Sequence, residues 1–257
     1  MGQDVSGLGR HAMKSSTHDM PDSNLRKVMG QTTLKHTFAT NAHDSSVCAV
    51  SDAKLESKVD VYFSADIETD GPIPGPYSIL SFALVYAGIY DGKSFKRPLS
   101  YDHYLYRELR PISEDFEPEA LAVNGLDRDA LMKTGMQPTQ AMREAGEWVR
   151  KIAGGGNPVF VAYPLSFDWT WLYWYFVRFT EQGSPFGHSR CFDIKTAVSV
   201  KTGLPIAGAG RARVPSELLP NRKHTHHALD DAIEQAELFA NVFEWGAENG
   251  VFGKEKI

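Results

Sequence analysis

Val59-Asp60-Val61-Tyr62-Phe63-Ser64-Ala65-Asp66-Ile67-Glu68 sets Val59, Val61, Phe63, Ala65 and Ile67 in alternation with Asp60, Tyr62, Ser64, Asp66 and Glu68. A period of two over ten residues predicts a strand. Asp66 and Glu68 lie two apart near its end, so both side chains leave the same face. Carboxylates held that close repel each other unless a cation or a proton sits between them. Oxygen ligands suit hard divalent ions, and Mg²⁺ or Mn²⁺ fits such a pair. Asp-x-Glu is common, and a solvated strand end accounts for it as readily. Its position after an apolar strand and before Gly71-Pro72-Ile73-Pro74-Gly75-Pro76 strengthens the functional reading.

Downstream, residues 79–86 form a second apolar strand, Asp91-Gly92 marks a turn, and residues 101–106 read as a third strand. Short connections make these three an antiparallel meander. Helices are predicted over 118–123, 127–133 and 137–153, the last stopped by Gly154-Gly155-Gly156. Residues 159–163 make a compact buried strand, and the aromatic run 169–179 suits a buried helix. A last short strand falls near 191–194, and the Pro-, Gly- and Arg-containing stretch 203–223 reads as a mobile loop. The final helix, 227–245, carries an apolar stripe of Leu229, Ala232, Ile233, Ala236, Phe239, Ala240 and Phe243. The result is an α/β fold, a mixed sheet flanked by helices.

Upstream, residues 1–57 are rich in Ser, Thr, His, Asp and Lys, hold Phe38 as their one aromatic, and show no sustained period. They are expected to be a disordered extension, leaving 58–257 as the folded domain. Met1-Gly2 with Ser6 fits the myristoylation pattern, which is short and often accidental. The absence of a signal segment and of any apolar run of about 18 residues points to a cytoplasmic chain without a membrane span. Cys48 and Cys191 are the only cysteines, which excludes a disulfide framework. The net charge of −5 argues against coating duplex nucleic acid through counterion release, but not against gripping a few phosphates through metal ions.

Asp168 opens the aromatic helix among Phe167, Trp169 and Trp171. It reads as a first-turn helix carboxylate or, in such apolar surroundings, as a charge in need of a metal or a hydrogen-bonded partner. His226-His227-Ala228-Leu229-Asp230-Asp231 is the third element. Residues five apart do not face each other on a helix, so His226 acts with Asp231 only from the preceding loop. A loop histidine beside a metal cluster suits proton transfer from water. The rival reading makes His224, His226 and His227 a zinc-binding tract; of Asp230 and Asp231, one is a simple helix N-terminal charge.

Asp66-x-Glu68, Asp168, and His226 followed by Asp231 resemble the ordered motifs of the DEDDh exonucleases, the superfamily of proofreading subunits, ribonuclease T and oligoribonuclease. The resemblance spans about residues 60–245. It implies a ribonuclease H-like fold and 3′-to-5′ removal of nucleotides from the free 3′ end of single-stranded RNA or DNA. By the same resemblance Asp66, Glu68, Asp168 and Asp231 hold two metal ions, Mg²⁺ or Mn²⁺, His226 is the general base, and Thr69 and Gly71 contact the terminal nucleotide. Some relatives dimerise, so a homodimer is compatible with it. Two departures stand out: Tyr163-Pro164-Leu165-Ser166-Phe167-Asp168 lacks the Asn of the His-Asn-x-x-Phe-Asp pattern, and Glu68-Thr69-Asp70-Gly71 sets an acid beside the 3′ end. Neither touches a metal ligand, so activity is expected. The alternatives are an inactive end-binding module and a hydrolase of very short oligonucleotides.

Four basic residues, Arg211, Arg213, Arg222 and Lys223, lead into His226 and read equally as phosphate grips or as a solvated loop. Of Trp169, Trp171, Tyr173, Trp174, Tyr175 and Phe176, most are expected in the core and one at the cleft. Asp193 reads as a structural hydrogen-bond acceptor.

Overall fold

The computed structural model describes residues 59–246. The expected extension, the Met1-Gly2 pattern and Cys48 lie outside the described residues. The sheet has strands β1 (Asp60–Thr69), β2 (Ile79–Tyr90), β3 (Phe95–Lys96), β4 (Tyr104–Glu108), β5 (Asn157–Ala162) and β6 (Cys191–Asp193). Its order is β3-β2-β1-β5-β6, with β4 also on β2. β1 pairs antiparallel with β2 and parallel with β5, so the first strand of the sequence is central.

Helices α1 (Pro118–Asn124), α2 (Arg128–Thr134) and α3 (Pro138–Ala153) precede β5; α4 (Leu165–Phe179) follows it. Then come α5 (Ile194–Thr202) and α6 (Ala228–Glu244). Val61, Phe63, Ala65 and Ile67 of β1 share one core with Ala141, Met142 and Val149 of α3 and Trp171, Leu172 and Tyr175 of α4. Tyr62 points the other way, into a core with Val159, Val161 and Phe239, the last from α6. Both faces of β1 are covered, which is why its even-numbered residues are buried despite their polar character. Asp66 and Glu68 share the Tyr62 face, and α6 packs across it.

β2 runs past the expected residue 86 to Tyr90 by means of a bulge, where the register with β1 shifts between Tyr62 and Phe63. Gly88, at φ 129°, permits it; a Cβ there would lie 2.7 Å from the Lys96 carbonyl oxygen. β4 begins at Tyr104, later than the predicted 101, because its partners on β2 are Val85 to Ser81. α5 was not predicted, although Asp193 caps it by accepting from the Lys195 and Thr196 N–H groups.

The stretch 203–223 is not the open loop expected. Ala209, Val214 and Leu218 are buried in the α6-side core. The Tyr163 hydroxyl donates to the Ala209 carbonyl at 2.7 Å, and Asn241 Nδ2 to that of Leu218 at 3.0 Å. Its apolar anchors are spaced too irregularly to register as a period. No helix among the described residues is long and apolar enough to cross a membrane.

Candidate active site

β5 stays paired with β1 only as far as Ser64 opposite Val161. Asp66 and Glu68 therefore lie beyond the carboxyl end of β5, where a parallel sheet leaves a crevice. Both are buried, with 8% and 9% of their surface exposed. The chain leaves β5 through the cis Tyr163-Pro164 bond and enters α4, whose first turn carries buried Asp168. The Ile67 backbone N–H, between Asp66 and Glu68, bonds the Asp168 carboxylate. That bond ties α4 to β1 at the site itself.

Asp231 arrives from the first turn of α6 and is fully buried. Its carboxylate oxygens lie within 4.8 Å of those of Asp66 and Glu68. The same carboxylate accepts from the Thr225 and His226 N–H groups, each at 2.7 Å, and faces His224 Nδ1 at 3.0 Å. His226 has φ 59°, a left-handed backbone that a side chain rarely adopts, and the Asp231 bond holds it there. His226 thus precedes the helix and reaches back, as the spacing required. One turn along α6, Gln235 Nε2 donates to Asp66 Oδ1 at 2.6 Å.

Asp230, by contrast, is exposed beside His227 and is the simple helix-terminal charge of the pair.

Thr69 and Gly71 line the cleft with His224, His226 and Phe167. The Thr69 hydroxyl donates to the Gly71 carbonyl at 2.8 Å, and a Cβ on Gly71 would overlap the Tyr77 ring at 2.2 Å. Glycine is needed there for packing, whatever binds beside it. Asp70 does not sit beside the substrate end, contrary to expectation. It points inward, fully buried, accepts from the Ser78 N–H at 2.5 Å and pairs with buried Arg128 at 2.9 Å. The register with β2 shifts between Glu68 and Thr69, which breaks the alternation there: Thr69 and Gly71 line the cleft beside Asp66 and Glu68, and Asp70 turns away. Removing one partner of a buried pair strands the other charge, so Arg128→Ala is expected to cost about 3–5 kcal/mol in urea unfolding. A loss below about 1 kcal/mol would show the pair to be dispensable.

Arg211 and Arg222 pair with Glu234 and Glu237 of α6, and Arg211 also lies over the Tyr163 ring. Neither is the free phosphate grip that the loop suggested. Asp193 serves α5 and the Leu165 N–H as a structural acceptor. None of the six aromatics singled out from 169 to 176 lines the cleft; Phe167, 40% exposed, does. Gln235 is not singled out by the sequence, and Phe167 only as a neighbour of Asp168. The signal for Gln235 was its place four residues after Asp231, on the same helix face.

Burial is the first cause of raised carboxyl pKa values at the site. Asp66 is lifted well above the carboxylate range by burial, then by Asp168, Glu68 and Asp231, with Arg211 opposing. Glu68 is pushed up to about 8 by burial, then Asp231 and Asp168. Asp168 is raised to about 7 by burial, against hydrogen bonds from its own and the Ile67 backbone. The folded protein therefore holds more protons than the unfolded chain from about pH 4 to about 8, and its stability falls as pH rises through that window. With a chelator present, Tm is expected to drop between about pH 5 and about pH 8, and Mg²⁺ or Mn²⁺ to raise it most at the alkaline end. A flat Tm profile in chelator would contradict this charge arrangement.

Carboxylates from a central strand and two helices, meeting beyond the carboxyl end of a mixed sheet, define a nuclease of the ribonuclease H-like fold. No family model matches the chain. It is 34% identical over 186 residues to the 3′-5′ DNA exonuclease Cap18 of Escherichia coli, covering 72% of this chain and 92% of that protein. Over 200 residues it is 26% identical to ribonuclease T of Shewanella sp. strain ANA-3, covering 75% and 87%. The nuclease domain of 3′hExo, a DEDDh family member solved with rAMP, shares the fold at a TM-score of 0.54 and 12% identity, over 76% of this chain and 96% of that one. The chain belongs to the DEDDh superfamily of 3′-5′ exonucleases.

Proposed function

We propose that residues 58–257 form an exonuclease domain that removes nucleotides stepwise from the 3′ end of single-stranded nucleic acid, with residues 1–57 as an extension to it. The observation that carries this reading is the convergence of four buried carboxylates: Asp66, Glu68 and Asp168 line a cleft with His226 on its wall, and Asp231 lies against Asp66 and Glu68 from behind.

The donor set fits divalent ions. Oxygens of Asp66, Glu68 and Asp231 lie within 4.8 Å of one another, and burial followed by the neighbouring carboxylates raises the pKa values of Asp66 and Glu68, so the cluster calls for positive charge. Asp66, Glu68, Asp168 and Asp231 would hold two Mg²⁺ or Mn²⁺ ions, which when bound polarise a phosphoryl oxygen and lower the pKa of water. His226 accepts the proton of the attacking water as the oxygen–phosphorus bond forms and the bond to the 3′ oxygen breaks. Gln235 fixes the Asp66 carboxylate, and the Ile67 N–H fixes that of Asp168. Thr69 and Gly71 border the place of the terminal nucleotide, and exposed Phe167 offers it a stacking face.

The test is a comparison of rates on labelled single-stranded DNA, single-stranded RNA and dinucleotides, with Mg²⁺, with Mn²⁺ and with chelator. DNA is the first substrate to try, being named in the Cap18 relative. Metal-dependent shortening of a long single strand is expected. Binding without shortening would support an inactive end-binding module, and cleavage confined to dinucleotides would support a short-oligonucleotide hydrolase.

A further inference from the structure

Among the described residues two potential ligand clusters share one member. Asp66, Glu68 and Asp231 present only carboxylate oxygens; His224, His226 and Asp231 present two imidazoles and a carboxylate. Donor chemistry sorts ions between them. All-oxygen sets suit Mg²⁺ and Mn²⁺, whereas imidazole with carboxylate suits Zn²⁺, commonly with three protein ligands and a water.

We propose that His224, His226 and Asp231 form an inhibitory Zn²⁺ site that shuts the exonuclease by claiming two of its working residues. The inhibition rests on the exonuclease reading above; the metal site itself does not.

The geometry is close to what a tetrahedral ion needs. Bonds of about 2.0–2.1 Å to nitrogen and oxygen place neighbouring ligand atoms roughly 3.3 Å apart. His224 Nδ1 and Asp231 Oδ2 stand 3.0 Å apart, and the ligand atoms of all three residues lie within 4.8 Å of one another. The two imidazole rings are edge to face with centroids 4.5 Å apart, and each offers a nitrogen to the space beside the Asp231 carboxylate. Asp231 needs no rearrangement, because the Thr225 and His226 N–H groups pin its two oxygens. The same bond holds the left-handed backbone of His226 and thus the root of its ring. His224, 37% exposed, has room to adjust.

Binding is a proton exchange. Imidazole binds Zn²⁺ through a nitrogen lone pair, so any proton on the ligating nitrogens passes to solvent, and no oxidation or reduction is involved. The bound ion occupies the His226 nitrogen lone pair that would accept the proton of water, and competes for the carboxylate of Asp231. Mg²⁺, a poor partner for nitrogen, does not displace it.

Co²⁺ reports this site directly, since four-coordinate Co²⁺ with imidazole ligands absorbs strongly in the visible and octahedral oxygen-bound Co²⁺ does not. Titrating the full chain with Co²⁺ is expected to give visible bands that saturate at one ion per chain, survive excess Mg²⁺ and vanish on adding Zn²⁺. In parallel, Zn²⁺ should inhibit Mg²⁺-dependent nucleotide release. His224→Gln should remove the bands and raise the inhibiting Zn²⁺ concentration, read against that variant's own uninhibited rate, by about 100-fold or more. Bands or inhibition that persist in His224→Gln overturn the site and leave the exonuclease reading standing. Histidine-dependent bands in a chain without nuclease activity establish the site and overturn that reading instead. Should His224→Gln misfold, the imidazole nitrogen resonances of the unmodified chain decide: those of His224 and His226 shift with Zn²⁺, and unshifted signals sink the proposal.

Discussion

Asp66→Ala is expected to lower nucleotide release by about three orders of magnitude or more while leaving the chain folded. Asp66 lies at the meeting point of the site: Asp168, Glu68 and Asp231 all raise its pKa, and Gln235 from α6 fixes one of its oxygens. Its removal opens the oxygen cluster proposed to hold divalent charge beside the scissile phosphate. It also lifts a buried repulsion, so the variant should be no less stable than the parent in chelator above about pH 7. Single-turnover rates together with chelated melts would reveal both effects. An activity loss under about tenfold would mean that Asp66 is a strand-end carboxylate of little chemical consequence.

The second large effect is expected at His226. Positioned proton transfer contributes about 10²- to 10⁴-fold, so His226→Ala should cut kcat by that order and leave Mg²⁺ affinity near the parent value. The backbone complicates the choice of variant. At φ 59° alanine is more strained than asparagine, which enters the left-handed region more readily. His226→Asn therefore keeps the loop and its bond to Asp231 while removing the imidazole proposed as the base. Equal losses in the two variants would assign the effect to the imidazole. A large recovery in His226→Asn would assign it to the loop, and a parallel fall in Mg²⁺ affinity would make His226 a ligand.

Much of this arrangement was legible in the chain. Period two over 59–68 marked β1, and the parity of Asp66 and Glu68 placed both on one face, where Asp231 meets them. The five-residue spacing from His226 to Asp231 forced the histidine into a loop, and its left-handed backbone meets that requirement. What escaped notice depended on long-range packing. Asp70 reads in the sequence as an acid beside the 3′ end because nothing local announces Arg128, 58 positions away, as its partner. Arg211 and Arg222 looked free because their carboxylate partners lie on α6, beyond the turn at His226. Gln235 became significant only once α6 was laid across β1. The stretch 203–223 is fixed by three separate apolar anchors rather than a repeating face.

Polarity-specific hydrolysis at a single-stranded 3′ end is read out by following product lengths from a 5′-labelled single strand with Mg²⁺. The expected result is a ladder that shortens one nucleotide at a time from the unlabelled end, releases nucleoside 5′-monophosphates, and stops in chelator. Immediate release of labelled mononucleotide, internal cuts, or a ladder unaffected by chelator would contradict it.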